Sequence, residues 1–446
     1  MKAALPALLL VLATLTLGCA GARVENVPLE RFEAKHGYGA RFHDAPHANK
    51  LRVVLAFSGG GTRASALAYG VLKELRDTEI VLSGEKVRLL DAVSTISSVS
   101  GGSFTSAYYG LYGERIFEDY EERFLRKNID ARLGLNLFRP FDLLRFAFTK
   151  YTRSDMAMDL YDKEVFDGAT FADLQAKDGP ILNINATDID IGAVFTFMQP
   201  GFDLICSDLS KMRVSTAVTA SSAVPGIFAP LVLENRAGTC GQPEPAWIQQ
   251  ALADPTKSRR RYHEARAVAT YLDREARPYI FLVDGGVADN IGARRVLADV
   301  IESGGMFDLS VAAHVTVPEK IVYIIVNAQA GGHHDWNKKL ALPSLASVLG
   351  TITSVGMYRY NFETIELLRD ESAEWSRQAA KHGKTMKPTV VEVAFNNLGD
   401  PKQRAYFNDV ETSFALDDTT IDRLIEVGGR LLRESPDFQQ FMASVK

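Results

Sequence analysis

Histidine is scarce in this chain, with eight among 446 residues. Most serine hydrolases draw their general base from histidine, so any nucleophile here has few conventional partners. Cysteine is scarcer still, with three. An excess of positive charge is missing: the net charge is −5, which gives no reason to expect nucleic acid as a partner. No internal repeat is visible. Apolar residues make up 46% and charged residues 24%, the balance of a folded globular protein rather than a disordered one. The length suits one large domain or two ordinary ones.

The chain's uncharged N-terminal run, from Ala3 to Gly18 behind Lys2, is short for a membrane span and suits a signal peptide over residues 1–18. It ends in "LTLGC", a small residue before cysteine after an apolar run. This looks like a bacterial lipoprotein signal with Cys19 as the lipidated residue, although Thr16 stands where leucine is commoner; plain secretion is the alternative. Acyl chains on Cys19 would anchor the chain to a membrane surface, giving an expected place in a bacterial cell envelope, on the outer membrane facing the periplasm. Cys206 and Cys240 remain, as a disulfide or as two buried thiols.

Residues 19–50 are polar and read as a tether. "LRVVLAF" (51–57) is a short apolar run with the character of a buried strand, followed by "SGGGTR" and a helical pattern. "KVRLLDAVSTI" (86–96) reads as a second strand leading into "SSVSGGS" and another helix. The stretch 141–166 mixes apolar and basic residues as a surface helix or a membrane-facing cap. "PILNINATDIDIGAVFTF" (180–197) reads as strands around a turn, "VSTAVTASSAVPGIFAPL" (214–231) as a helix ending near Pro225, and 234–275 as an insertion. "PYIFLVDGGVADN" and "KIVYIIVNA" read as strands, with helical patterns at 343–375 and 418–435. Strands alternating with helices predict an α/β fold with a largely parallel sheet.

Three motifs carry chemistry. In "FSGGGTRA" (57–64) glycines between strand and helix free backbone N–H groups for an anion. That anion is a dinucleotide pyrophosphate, since Gly59, Gly61 and Ala64 fit G-x-G-x-x-G/A, or the oxyanion of an acyl-transfer intermediate. No Gly-Lys-Ser/Thr follows, which argues against a Walker loop. The dinucleotide reading also needs an acid closing the second strand, and neither Asp77, Glu79 nor Glu85 clearly does so.

Among six serines at 91–110, Ser100 alone has small residues on both sides at the spacing a nucleophile elbow needs, Ser98 at −2 and Gly102 at +2. The bland alternative is a Ser-Gly turn. Asp284 follows an apolar strand and precedes Gly285 and Gly286. There it acts as a base if desolvated, or merely closes a turn.

Together these elements resemble the patatin-like phospholipase family. Its pattern is a G-G-G-x-[KR] loop, a G-x-S-x-G elbow and a D-G-[GA] turn, found here as Gly59-Gly60-Gly61-Thr62-Arg63, Ser98-Val99-Ser100-Gly101-Gly102 and Asp284-Gly285-Gly286. "NATDIDIGAVF", "ASSAVPGIFAPL" and "GGVADN" also look like the family, and the tail "TSFALDDTTIDRLIEVGGRLL" is similar to that of its bacterial lipoprotein members. Ser98 and Ala64 depart from family glycines, and Ile291-Gly292 stands where Leu-Pro is usual.

The resemblance implies a three-layer α/β/α domain over 51–297, with 298–446 as an extension packing on it. It implies a Ser100–Asp284 dyad without histidine, an oxyanion hole from Gly59, Gly60 and Gly61 joined by Gly101, and Arg63 in support. The substrate would be a phospholipid or another lipid. No cofactor, metal or nucleic acid is expected. A membrane-anchored, non-catalytic binding or assembly protein of the same fold is the alternative.

Overall fold

Alternate residues of the two strongest apolar runs are buried on opposite faces. Val53, Leu55 and Phe57 share one core with Val322, Ile324 and Val326, while Val54 and Ala56 share another with Ile321, Tyr323 and Ile325. A strand covered on both faces has no polar alternation, which is why these runs are continuous. The computed structural model describes residues 21–40, 47–137, 149–303, 305–306, 309–310, 315–331 and 345–445. Cys19, the signal segment and part of the 141–166 stretch lie outside them.

The chain runs β1 (Ala22–Arg23), β2 (Leu51–Phe57), α1 (Gly61–Asp77), the hairpin β3 (Glu79–Leu82) and β4 (Glu85–Arg88), then β5 (Val93–Val99) and α2 (Gly101–Tyr112). β6 (Ile181–Asp188), β7 (Ala193–Thr196), α3 (Val214–Ser221), β8 (Leu231–Glu234) and β9 (Tyr279–Asp284) follow. α4 (Ala293–Ser303), β10 (Lys320–Asn327), α5 (Leu345–Lys381), β11 (Lys387–Ala394) and α6 (Asp418–Glu434) complete the frame. The main sheet is ordered β1-β8-β9-β6-β5-β2-β10-β11, with β7 also on β6. The strands β6, β5, β2, β10 and β11 are mutually parallel, and β9 runs antiparallel to both β6 and β8. Helices cover both faces, so the fold is a three-layer α/β/α with a mostly parallel sheet.

Several local expectations change. Residues 86–96 are not one strand: β4 belongs to a separate hairpin, a 3-10 turn spans Leu89–Ala92, and only then does β5 begin. Asp77, Glu79 and Glu85 therefore sit at a helix end and on that hairpin, not at the end of a main-sheet strand. Helix α3 stops at Ser221, short of Pro225. Residues 21–40 of the supposed tether are folded: β1 pairs with β8, Asn26 Nδ2 donates to Ser207 Oγ at 2.6 Å, and the buried Tyr38 hydroxyl accepts from the Leu182 amide at 2.7 Å. A Cys206–Cys240 disulfide, Cα–Cα 5.5 Å, underlies this stretch, and the amides of Leu29 and Phe32 donate to the two cysteine carbonyls. Residues 246–253 and 259–269 form helices with a small core of their own, Ile248, Ala251 and Ala265. In the 141–166 stretch the described helix Arg153–Tyr161 buries Met156, Ala157 and Tyr161 in the main core. No helix among the described residues is long and apolar enough to cross a membrane.

The tail closes the molecule. α6 lies on α1 with the two backbones touching: a Cβ on Gly70 would stand 2.1 Å from the Ile425 carbonyl oxygen, and one on Gly428 2.5 Å from that of Leu67. Gly70→Val is expected to cost about 3 kcal/mol or more, because backbone cannot move aside as a side chain can. Gly356→Ala, in open space on α5, is expected to gain up to about 1 kcal/mol. Thermal unfolding of the two variants measures the contrast.

Candidate active site

β5 ends at Val99, and the next residue turns sharply. Ser100 has φ 50° and ψ −122°, a region costing a non-glycine residue about 1–3 kcal/mol and retained only where surroundings enforce it. α2 starts immediately afterward. This is the strand, turn and helix of a nucleophile elbow. The other five serines of 91–110 are engaged internally. Ser94 donates to the Val53 carbonyl at 3.3 Å and Ser97 to that of Gly292 at 2.5 Å. Ser98, still within β5, meets Ser106 Oγ at 2.7 Å and accepts from Ser103 at 3.2 Å. The hydroxyl at 98 thus finds partners on α2, and the turn closes without the usual glycine.

Asp284 reaches Ser100 through register. Val99 is paired with Asn185 of β6, and Ala186, the next residue, is paired with Asp284 of β9 on the other side. Asp284 stands at the C-terminal end of its own strand, as expected, but that strand arrives antiparallel. Asp284 Oδ1 accepts from the Gly286 amide at 2.7 Å. Burial pushes the Asp284 pKa up to about 6, against smaller lowering effects from the Gly286 amide and the nearby Ser100 hydroxyl. Both side-chain positions keep a narrow opening, with each residue 7% exposed. Among the described residues no histidine acts on the carboxylate, whose acidity is set by burial first and then by the Gly286 amide and the Ser100 hydroxyl.

A residue missed in the sequence holds the pair together. Ser221, the last residue of α3, is fully buried. Its Oγ accepts from the Ser100 amide at 2.9 Å and donates to the Asn185 carbonyl at 2.6 Å. Its carbonyl accepts the Gly285 amide at 3.1 Å, and that of Ala223 accepts the Asp284 amide at 2.9 Å. The signal was present in "ASSAVPG", but nothing local distinguishes the stitching serine from its neighbours.

The glycine loop sits against the elbow. A Cβ on Gly101 would lie 2.1 Å from the Gly61 carbonyl oxygen and 2.8 Å from the Gly61 nitrogen. Gly60, at φ 138°, is in a conformation open essentially to glycine alone. The N-termini of α1 and α2 therefore meet beside Ser100, and their dipoles converge there. Of the loop amides, that of Gly59 is already committed to the Asn290 carbonyl at 2.9 Å, and that of Thr62 to the Ser413 carbonyl at 2.9 Å. The expectation that Gly59 supplies an oxyanion donor is thereby corrected: its amide fixes the loop. Among the described residues no group accepts from the amides of Gly60, Gly61 or Gly101.

Arg63 points inward. Its Nε donates to the Ala328 carbonyl and its Nη2 to Thr412 Oγ1, both at 2.9 Å, and its Nη1 to the Val410 carbonyl. Burial without a carboxylate partner pulls its pKa down to about 10. It braces the loop against the tail, neither in a salt bridge nor toward a lipid phosphate. Among the described residues no group of three or more histidine, cysteine or acidic side chains is placed to hold a metal ion.

An elbow serine near a buried carboxylate, beside amides that no described group pairs with, at the C-terminal ends of β5 and β9, has the form of an acyl hydrolase site. The chain matches the model of the patatin-like phospholipase family over residues 55–297, more than half its length, and belongs to that family. No curated protein matches it. Among solved structures it is similar to the human GIVD cytosolic phospholipase A2, at 12% identity and TM-score 0.47, over 88% of this chain and 62% of that one. It is also similar to VipD from Legionella pneumophila, at 12% identity and TM-score 0.29, over 95% of this chain and 71% of that one. The chain thus spans less than two thirds of the human enzyme's length.

Proposed function

We propose that this protein is a serine hydrolase that cleaves ester bonds of phospholipids or other lipids through a Ser100–Asp284 dyad. The observation that carries the reading is the strained backbone at Ser100, which presents its hydroxyl beside a carboxylate that burial has made more basic. Asp284 takes the Ser100 proton as Oγ attacks the ester carbonyl. The oxyanion settles on the amides of Gly60, Gly61 and Gly101. Asp284 then gives the proton to the leaving oxygen, and water releases the acyl group by the reverse path.

Exposed apolar side chains on segments next to the dyad support a lipid substrate. Val287 directly follows the Asp284 turn, Ile227 follows the α3 stitch, and Tyr358 lies on α5, where Met357 approaches Gly286. The Cys206–Cys240 disulfide supports an oxidising compartment. With the N-terminal signal, it favours a lipid-anchored chain, attached through Cys19, in a bacterial envelope.

A fluorophosphonate probe tests the reading. The intact chain is expected to gain one adduct at Ser100, and the Ser100→Ala chain none. Because Asp284 must be ionised to accept the proton, the labelling rate is expected to fall as pH drops through about 6 and to level off above it. Failure of the intact chain to label anywhere on that profile overturns the dyad.

A further inference from the structure

The side chain of Asn290 is wedged between the glycine loop and the Asp284 turn. Its Oδ1 lies 2.7 Å from the point a Gly59 Cβ would occupy and 3.0 Å from that of Gly286. The first point is 3.2 Å from Ser100 Cβ, and the second 2.9 Å from Asp284 Oδ1. The carboxamide therefore neighbours both reacting side chains, and two glycines leave it room.

Its backbone is held firmly. The Asn290 carbonyl accepts the Gly59 amide at 2.9 Å, and Asp289 before it accepts the Arg294 amide at 2.7 Å. Yet among the described residues no group hydrogen-bonds the carboxamide, although the residue is only 6% exposed. A carboxamide carries two donors and an acceptor. Oδ1 is the end that meets the loop and the turn, and the nitrogen carries the two donors.

Two sides of the reacting centre are thus distinct. The unpaired amides of Gly60, Gly61 and Gly101 lie where α1 and α2 begin and receive the carbonyl oxygen. Asp284 must return its proton to the leaving oxygen, so that oxygen lies on the Asp284 side, which Asn290, between loop and turn, borders. We propose that Asn290 is a catalytic residue whose Nδ2–H donates a hydrogen bond to the leaving oxygen of the bound ester as the acyl–oxygen bond breaks. This rests on the Ser100–Asp284 reading and adds the group that stabilises the departing alkoxide while Asp284 protonates it.

The role makes a demand that a structural wedge does not. An alkyl alkoxide is a poor leaving group and needs the donor, whereas p-nitrophenolate carries its own charge well. Asn290→Leu keeps the volume and loses the polar atoms; Asn290→Asp keeps the shape and loses the donors. On a short-chain glycerol ester both variants are expected to lower kcat about a hundredfold, the size typical of one lost donor, with KM within about threefold. On the matching p-nitrophenyl ester the loss is expected to stay under about fivefold. Thermal unfolding of each variant checks the fold. Equal losses on the two esters overturn the proposal, as does retained activity of Asn290→Leu on the glycerol ester. Wild type that hydrolyses neither ester overturns the dyad itself, and this proposal with it.

Discussion

Ser100→Ala is expected to lower kcat for ester hydrolysis by roughly 10⁴–10⁶-fold, because it removes the attacking oxygen and members of such a unit fail together. Asp284→Asn is expected to cost about 10⁴-fold: the amide still accepts from Gly286 but cannot take the Ser100 proton. The two variants differ in stability. Burial raises the Asp284 pKa to about 6 from an ordinary 3.8, so the native state holds that proton more tightly than the unfolded chain does. The stabilising effect of the proton is fully present below about pH 3.8 and is lost as pH rises through about 6. At pH 8 the buried charge costs on the order of 3 kcal/mol, and a neutral carboxamide in its place would not carry that cost. Asp284→Asn should therefore unfold at a higher temperature than wild type at pH 8, with the gap closing toward pH 4. Thermal scans across that range measure it, and a gap independent of pH removes the buried carboxylate from the account.

Gly101→Ala is expected to be nearly as damaging, for a different reason. Its new methyl would meet the Gly61 carbonyl oxygen at 2.1 Å, so the elbow and the loop must part. Two of the three unpaired amides belong to those residues. Losing one oxyanion donor typically costs 10²–10³-fold in kcat, and moving both should exceed that, with KM changed far less. Steady-state kinetics on a soluble ester, beside thermal unfolding, separates the lost catalysis from a lost fold.

The reacting groups were legible because each sits in a turn whose geometry restricts its residues. Ser100 needs small neighbours, and Asp284 must be followed by a chain that folds back on itself. The fold class was legible because β2 and β10 are buried on both faces. What was hidden depends on distant partners. An apolar run reads alike in either direction, so the antiparallel entry of β9 was invisible. Ser221 acts on a residue 121 positions earlier. The pairing of the Gly59 amide with Asn290 depends on a separate turn meeting the loop. Polar residues 21–40 looked like a tether because their order comes from partners on β6, β8 and the disulfide loops, not from a periodic pattern of their own.

The seat of the tail on the glycine loop has a consequence for the timing of activity during synthesis. Arg63 is held by residues 347 and 349 positions later, and Thr62 by Ser413. A growing chain that has emerged with its serine, its aspartate and almost all of its sheet still lacks the strut that sets the oxyanion amides. If the chain acts as proposed, any activity during synthesis comes last, once residues 410–413 have been made and can brace the loop.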